Sequence, residues 1–147
     1  MPSDLWSFAS YCYARPGVER TCLRLQDEGV DVCLLLCALW LERRRVACDV
    51  ARLDQLRNIA GPWQRQVVQP LRELRRGWKT DSVNDPAQAR LRAQVKALEL
   101  EAEQELLRRL EGVAQKWQAT DEAVAWLEQL VSDRDARELL RAAANPA

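Results

Sequence analysis

Five cysteines, Cys12, Cys22, Cys33, Cys37 and Cys48, are the residues best suited to chemistry in this chain, because a thiolate can serve as nucleophile, redox centre or metal ligand. Cys33 and Cys37 stand four apart, so on a helix they share a face and could both reach one ion, with Cys12 or Cys22 added by packed neighbours. The other requirements are missing. No pair forms a CxxC motif, the spacings fit no standard zinc site, and the chain has no histidine. That absence removes Ser-His-Asp and Cys-His nucleophile systems and all imidazole acid–base chemistry. Cys33 and Cys37 also lie within "VCLLLCALWL" (Val32–Leu41), ten consecutive apolar residues where an unpaired thiolate is costly. The cysteines are therefore expected to pack in a core as small hydrophobes. No catalytic residue, metal or cofactor is expected.

Carboxylates and phosphate-binding loops offer no more. Glu99, Glu101, Glu103 and Glu105 in "ELEAEQE" alternate at i, i+2, which spreads them around a helix and predicts a solvated face. A carboxylate metal site in a helical bundle would normally add Glu-x-x-His, which this chain cannot supply. No glycine-rich loop joins a strand to a helix, and no convincing strand is present, so nucleotide-binding folds are unsupported.

The remaining signal is charge. The formal net charge is zero, yet residues 43–79 carry ten Lys/Arg against three acids, while 1–42 and 80–147 are net acidic. The candidate binding residues are Arg65, Arg72, Arg75, Arg76, Trp78 and Lys79 on one helix, with Arg43, Arg44 and Arg45 of "ERRR". Three readings of this basic middle stay open. It could be a solvated face that complements helix dipoles. It could engage acidic protein, either a partner or the long helix of the same chain. It could contact nucleic acid, although such binders usually have a strongly basic overall balance. Of the six tryptophans, Trp63 and Trp78 are the two expected to remain partly exposed, and Trp and Arg are enriched at binding hot spots.

The elements that would position these groups are helical throughout. Leu, Ala, Arg, Glu and Gln dominate, the residues that lose least on entering a helix. Ser3 is expected to cap a first helix with Leu5, Phe8, Ala9 and Cys12 on one face, ended by "ARPG". A second runs from Val18 to Gly29, with Val18, Cys22 and Leu25 inward. Asp31 caps a third, about 31–45, which contains the apolar run. A helix apolar all round must be surrounded by others, because ten residues are about half of a bilayer span. Asp49 caps a fourth, expected to break at "AGPW", with Pro62 opening a fifth that Pro70 kinks or divides. After a linker at 80–86, an amphipathic stripe of Leu91, Val95, Leu98, Ala102, Leu106, Leu110, Val113 and Trp117 predicts one long helix over about 86–118. At 1.5 Å per residue it would reach about 45 Å. Thr120 and "SDRD" (132–135) are expected to start two short closing helices. The "MPSDLWSFAS" opening has neither basic nor long apolar character, so no signal peptide is expected and a cytoplasmic location is.

The stretch "LWSFASYCYARPGVERTCLRLQDEGVDVCLLLCALWLERR", with "W…VV.PLRELRRGWK" after it, resembles a family of small proteobacterial all-helical proteins described as a domain of unknown function. The resemblance spans about residues 5–79 and implies a bacterial cytosolic protein, with no chemistry attached. The expected fold is an all-α single-domain bundle of about six to eight helices. Residues 1–79 would form its core, and the long helix and closing helices of 87–147 would pack on it. The expected function is a non-catalytic adaptor that binds a protein, either a different chain or a second copy of itself through the long helix. The alternative is an RNA- or ribosome-associated factor using the basic 43–79 region. No membrane is expected as a partner.

Overall fold

The computed structural model describes residues 4–122 and 124–145. Local sequence explains where its helices begin. Aspartate is the N-cap of five, because a carboxylate can accept the backbone N–H groups that a first turn leaves unbonded. Asp4 opens α1 (Leu5–Tyr13), Asp31 opens α3 (Val32–Arg43) and Asp49 opens α4 (Val50–Trp63). Asp85 opens α6 (Pro86–Ala114) and Asp133 opens α7 (Arg134–Ala144). Ser3, the cap expected for α1, lies outside the described residues. α2 (Val18–Asp27) begins instead at Gly17, whose φ of 81° is left-handed. It ends before Gly29, at φ 97°, the expected C′ glycine.

The apolar run is the bundle's axis. Every residue from Cys33 to Leu41 is buried. α3 touches α1, α2, α4, α6 and α7, so neighbouring helices cover most of its circumference. Its last turn closes with Arg45 at φ 62°, a left-handed conformation usually left to glycine. The Arg45 carbonyl then accepts the Thr120 N–H at 2.7 Å.

Two expectations are corrected. "AGPW" does not break the chain. α4 passes through Pro62 into a π-helical turn, Gln64–Val68, and on into α5 (Gln69–Gly77) as one continuous rod. The wide turn, closed by Gln69 N–H to the Gln64 carbonyl, lies directly before Pro70, where it makes room for that ring and its missing donor without ending the helix, while Pro62 sits within α4. It also turns Gln64 and Val68 inward.

The second correction concerns Thr120. Its expected helix reduces to a single 3-10 turn, Leu127–Gln129, and α6 ends at Ala114, short of Trp117. Specific contacts hold this irregular segment in place of a helical ladder. Trp126 is fully buried, stacks on Trp117 at 6.1 Å between ring centroids, and donates its indole N–H to the Val46 carbonyl at 2.7 Å. Glu42, at the end of α3, accepts the Leu127 N–H at 3.0 Å and both arms of Arg141 at 2.8 Å. Arg141 also pairs with Glu128, so one carboxylate ties α3, the 3-10 turn and α7 together.

Glu42→Ala removes all three acceptor contacts at a nearly buried position. The expected loss is about 3 kcal/mol in urea unfolding. A loss below about 1 kcal/mol would show that the C-terminal segment docks by its apolar residues alone.

Candidate functional site

The structure divides the expected basic site. Arg43 donates to Asn145 at 3.1 Å, and Arg44 lies over the Trp40 ring at 4.5 Å. Arg45 reaches the Glu122 carbonyl at 3.4 Å. Arg43 and Arg45 therefore reach the C-terminal segment and Arg44 folds back on α3, so none of these three contacts is with α5. On α5, Arg72 and Arg75 point inward and clamp Glu99 of α6, with Arg72 Nε 3.2 Å from Oε2 and Arg75 hydrogen-bonded to both oxygens. Arg76 pairs with Asp27 at 3.3 Å in the open. Among the described residues, the Arg65 and Lys79 side chains are exposed with no hydrogen-bond or ion-pair partner, and Trp63 and Trp78 are half-buried.

Glu99 was expected on a solvated face and is instead 5% exposed. Burial pushes its carboxyl up, but the hydrogen bonds and charges of Arg75 and Arg72 outweigh that and hold it below the usual range. α5 has no buried residue of its own, so this ion triad is a principal tie between α5 and α6.

One turn along α6 the balance reverses. Glu103 is pushed up to about 7, first by burial and then by the nearby Glu99 charge, with Arg72 and Arg75 opposing and Asp31 adding to the rise. Asp31 is raised as well, chiefly by burial, although its carboxylate accepts the Leu34 N–H and the Gln64 side-chain amide, each at 3.0 Å. The π-helical turn is what brings Gln64 to this place. The Tyr13 phenol, across from Glu103, is pushed up to about 12, mainly by burial.

Glu103 and Tyr13, with Glu99 beside them, border a cleft of about 720 Å³ running along α6. Trp6, Ser10 and Tyr13 of α1 make one wall, and Val32, Cys33 and Leu36 of α3 make the floor. The α6 wall is Ala93, Lys96, Leu100, Glu103 and Leu107, at spacings of three and four, with Ala97 beside them. The stripe expected from the sequence lies on another face of α6. Val95, Ala102, Leu106 and Leu110 of that stripe are buried against the core, but Leu91 and Leu98 at its margin stay 47% and 50% exposed. The apolar members of the cleft wall, Ala93, Leu100 and Leu107, recur at intervals of seven in the sequence, with Lys96 and Glu103 between them. Clefts of this size, mostly apolar with a few convergent polar groups and shifted carboxyls, are the usual form of a binding site.

Residues 4–110, about three quarters of the chain, match the family described as "Protein of unknown function (DUF2390)". The chain belongs to that family. No curated relative and no solved structure matches it. The DUF2390 match contains every residue of the cleft, from Trp6 to Leu107, and stops before the irregular segment and α7. It reaches 31 residues beyond the Lys79 limit of the sequence resemblance and so takes in most of α6. No helix among the described residues is long and apolar enough to cross a membrane.

The cysteines of this DUF2390 protein lie where the apolar pattern puts them. Cys12, Cys22, Cys33 and Cys37 are buried and Cys48 is half-buried. Burial pushes the thiols of Cys12 and Cys22 up to about 11 and raises Cys33 and Cys37 as well. Among the described residues no cluster of three Cys, Asp or Glu could hold a metal ion. In the folded protein at pH 8, a disulfide reagent is expected to modify Cys48 first, with the other four reacting only on unfolding. Fast labelling of Cys33 or Cys37 would contradict this.

Glu103 yields a pH prediction. Its folded value near 7 lies above the ordinary 4.5, so between those limits the folded state keeps a proton that the unfolded chain has released. Its contribution to stability therefore falls as pH rises from 4.5 to 7 and is least favourable above 7. In dilute solution, Glu103→Gln is expected to be more stable than the parent by about 2 kcal/mol at pH 8 and equal to it near pH 4. A pH-independent difference in melting temperature would refute the assignment.

Proposed function

We propose that this protein is a non-catalytic interaction protein that binds a protein partner by receiving a helix in the cleft along α6. The observation that carries this reading is the second face of α6. Ala93, Lys96, Leu100, Glu103 and Leu107 repeat at the three-four spacing of a helix–helix seam, yet within the chain they border a cleft. Trp6 and Tyr13 stand opposite, aromatic anchors of the type that dominates interface energetics. A partner helix laid on this apolar floor would use the helix-in-groove mode, in which apolar residues at i, i+3/4 and i+7 seat side by side.

Of the basic face, Arg65, Arg76 and Lys79 remain as exposed cations outside the cleft, while Arg72 and Arg75 serve the fold. The same internal pairing weakens the RNA reading, because a phosphate would have to displace Glu99 to use them. The proposal extends to a bacterial cytoplasmic setting, in keeping with five thiols that form no disulfide.

Leu100 is 55% exposed, so Leu100→Asp is expected to change stability by no more than about 0.5 kcal/mol. Affinity capture from the native host, with nuclease and moderate salt, should retain a discrete protein with the parent chain and lose it with Leu100→Asp. Retention of the same proteins by both would count against the cleft. Capture that disappears on nuclease treatment, with a steep salt dependence, would favour RNA instead.

A further inference from the structure

The cleft wall has a property beyond being apolar: it is complementary to itself. Around Leu100, Lys96 lies four residues before and Glu103 three after, with Ala93 and Leu107 each seven away. Among the described residues, neither the Lys96 ammonium nor the Glu103 carboxylate has a hydrogen-bond or ion-pair partner in the chain. The neighbouring charges are already committed. Glu99 is taken by Arg72 and Arg75, and Asp31 by Gln64 and the α3 backbone.

We propose that the helix received by the cleft is α6 of a second copy of this chain, lying antiparallel across the first with the two Leu100 side chains at the centre. This rests on the cleft reading above and names its occupant. Two-fold symmetry then makes each contact twice. Lys96 of each copy meets Glu103 of the other on either side of the Leu100 pair, while Leu107, 3% exposed, stays in the core of its own chain. A parallel arrangement would set Lys96 against Lys96 and Glu103 against Glu103, so the charge pattern selects the antiparallel one. The charge-matched stretch, Lys96 to Glu103, is about 10 Å long at 1.5 Å per residue, with exposed Ala93 beyond it. Trp6 and Tyr13 of each copy flank the seam and cover the partner's helix. The isolated cleft leaves a partly desolvated carboxylate without a cation, and the second copy supplies one.

Sedimentation equilibrium of the full chain at pH 8 and low salt tests this directly. The parent is expected to dimerise at micromolar concentration, and Leu100→Asp to be monomeric. Lys96→Glu and Glu103→Lys should each weaken the dimer about tenfold or more, and the double charge swap should restore it to within about threefold. Thermal melts of the variants exclude unfolding as the cause of any loss. A parent that remains monomeric at about 100 µM overturns the proposal, as does a double swap that is as weak as the single variants. In the monomeric case the capture comparison decides the wider reading. Loss of a captured protein by Leu100→Asp leaves the cleft a docking site for a different chain, and no loss removes both.

Discussion

The whole molecule depends on hiding α3. A helix with nine consecutive buried residues has no solvent face, so it cannot sit on the surface of a bundle and must be its axis. Each other helix then needs only one apolar stripe directed at that axis. α1 and α2 supply Leu5, Phe8, Val18 and Leu25, α4 supplies Leu53 and Leu56, and α6 supplies Leu106 and Leu110. The irregular segment after α6 closes the last opening with Trp126 and Leu127, fixed by Glu42 and the Val46 carbonyl at the α3 end. Apolar area removed from water drives this arrangement, and the few buried polar contacts fix its geometry.

The same requirement explains why the cleft exists. α6 is long enough to pass the core and continue beside α5, and it packs on α3 and α4 only along one side. α5, with no buried residue, is held to α6 by the Arg72–Glu99–Arg75 triad, so the protruding hairpin is polar in its internal attachment. A triad of this kind contributes little net stability after its desolvation cost, but removing one member leaves a buried charge unpaired. Its effect here is positional. It fixes the rotation of α6, sets Val95 and Ala102 inward, and turns Ala93, Lys96, Leu100 and Glu103 toward α1. The binding surface is thus a by-product of the constraint that holds the hairpin.

The basic middle of the sequence illustrates how far composition can mislead. Ten cations over 37 residues look like one surface. In three dimensions they separate into a group that anchors the C-terminal segment, a pair that neutralises Glu99, and a few exposed side chains. The acidic long helix of the same chain, one of the three readings open in the sequence, takes up Arg72 and Arg75. The cysteines went the other way. Their apolar surroundings were explicit in the sequence, and burial raises their thiols as those surroundings require.

Local rules alone determined most of the fold. The Asp caps, the two left-handed glycines, the all-apolar run and the long proline-free stripe specify helices and their inner faces through short-range hydrogen bonding and periodicity. Pro62 defeated those rules, because the helix continues through it into a turn whose Gln64 and Val68 pack inward. The Thr120 helix failed for a related reason, since contacts of Trp126 and Leu127 with distant residues outweigh weak local propensity. The candidate site lay furthest from reach. Glu99 and Glu103 are identical in type and four residues apart, and nothing local makes one a clamped anion and the other a carboxyl with its value near 7. Only the tertiary structure could decide that, by bringing two arginines to the first and leaving the second desolvated without a cation.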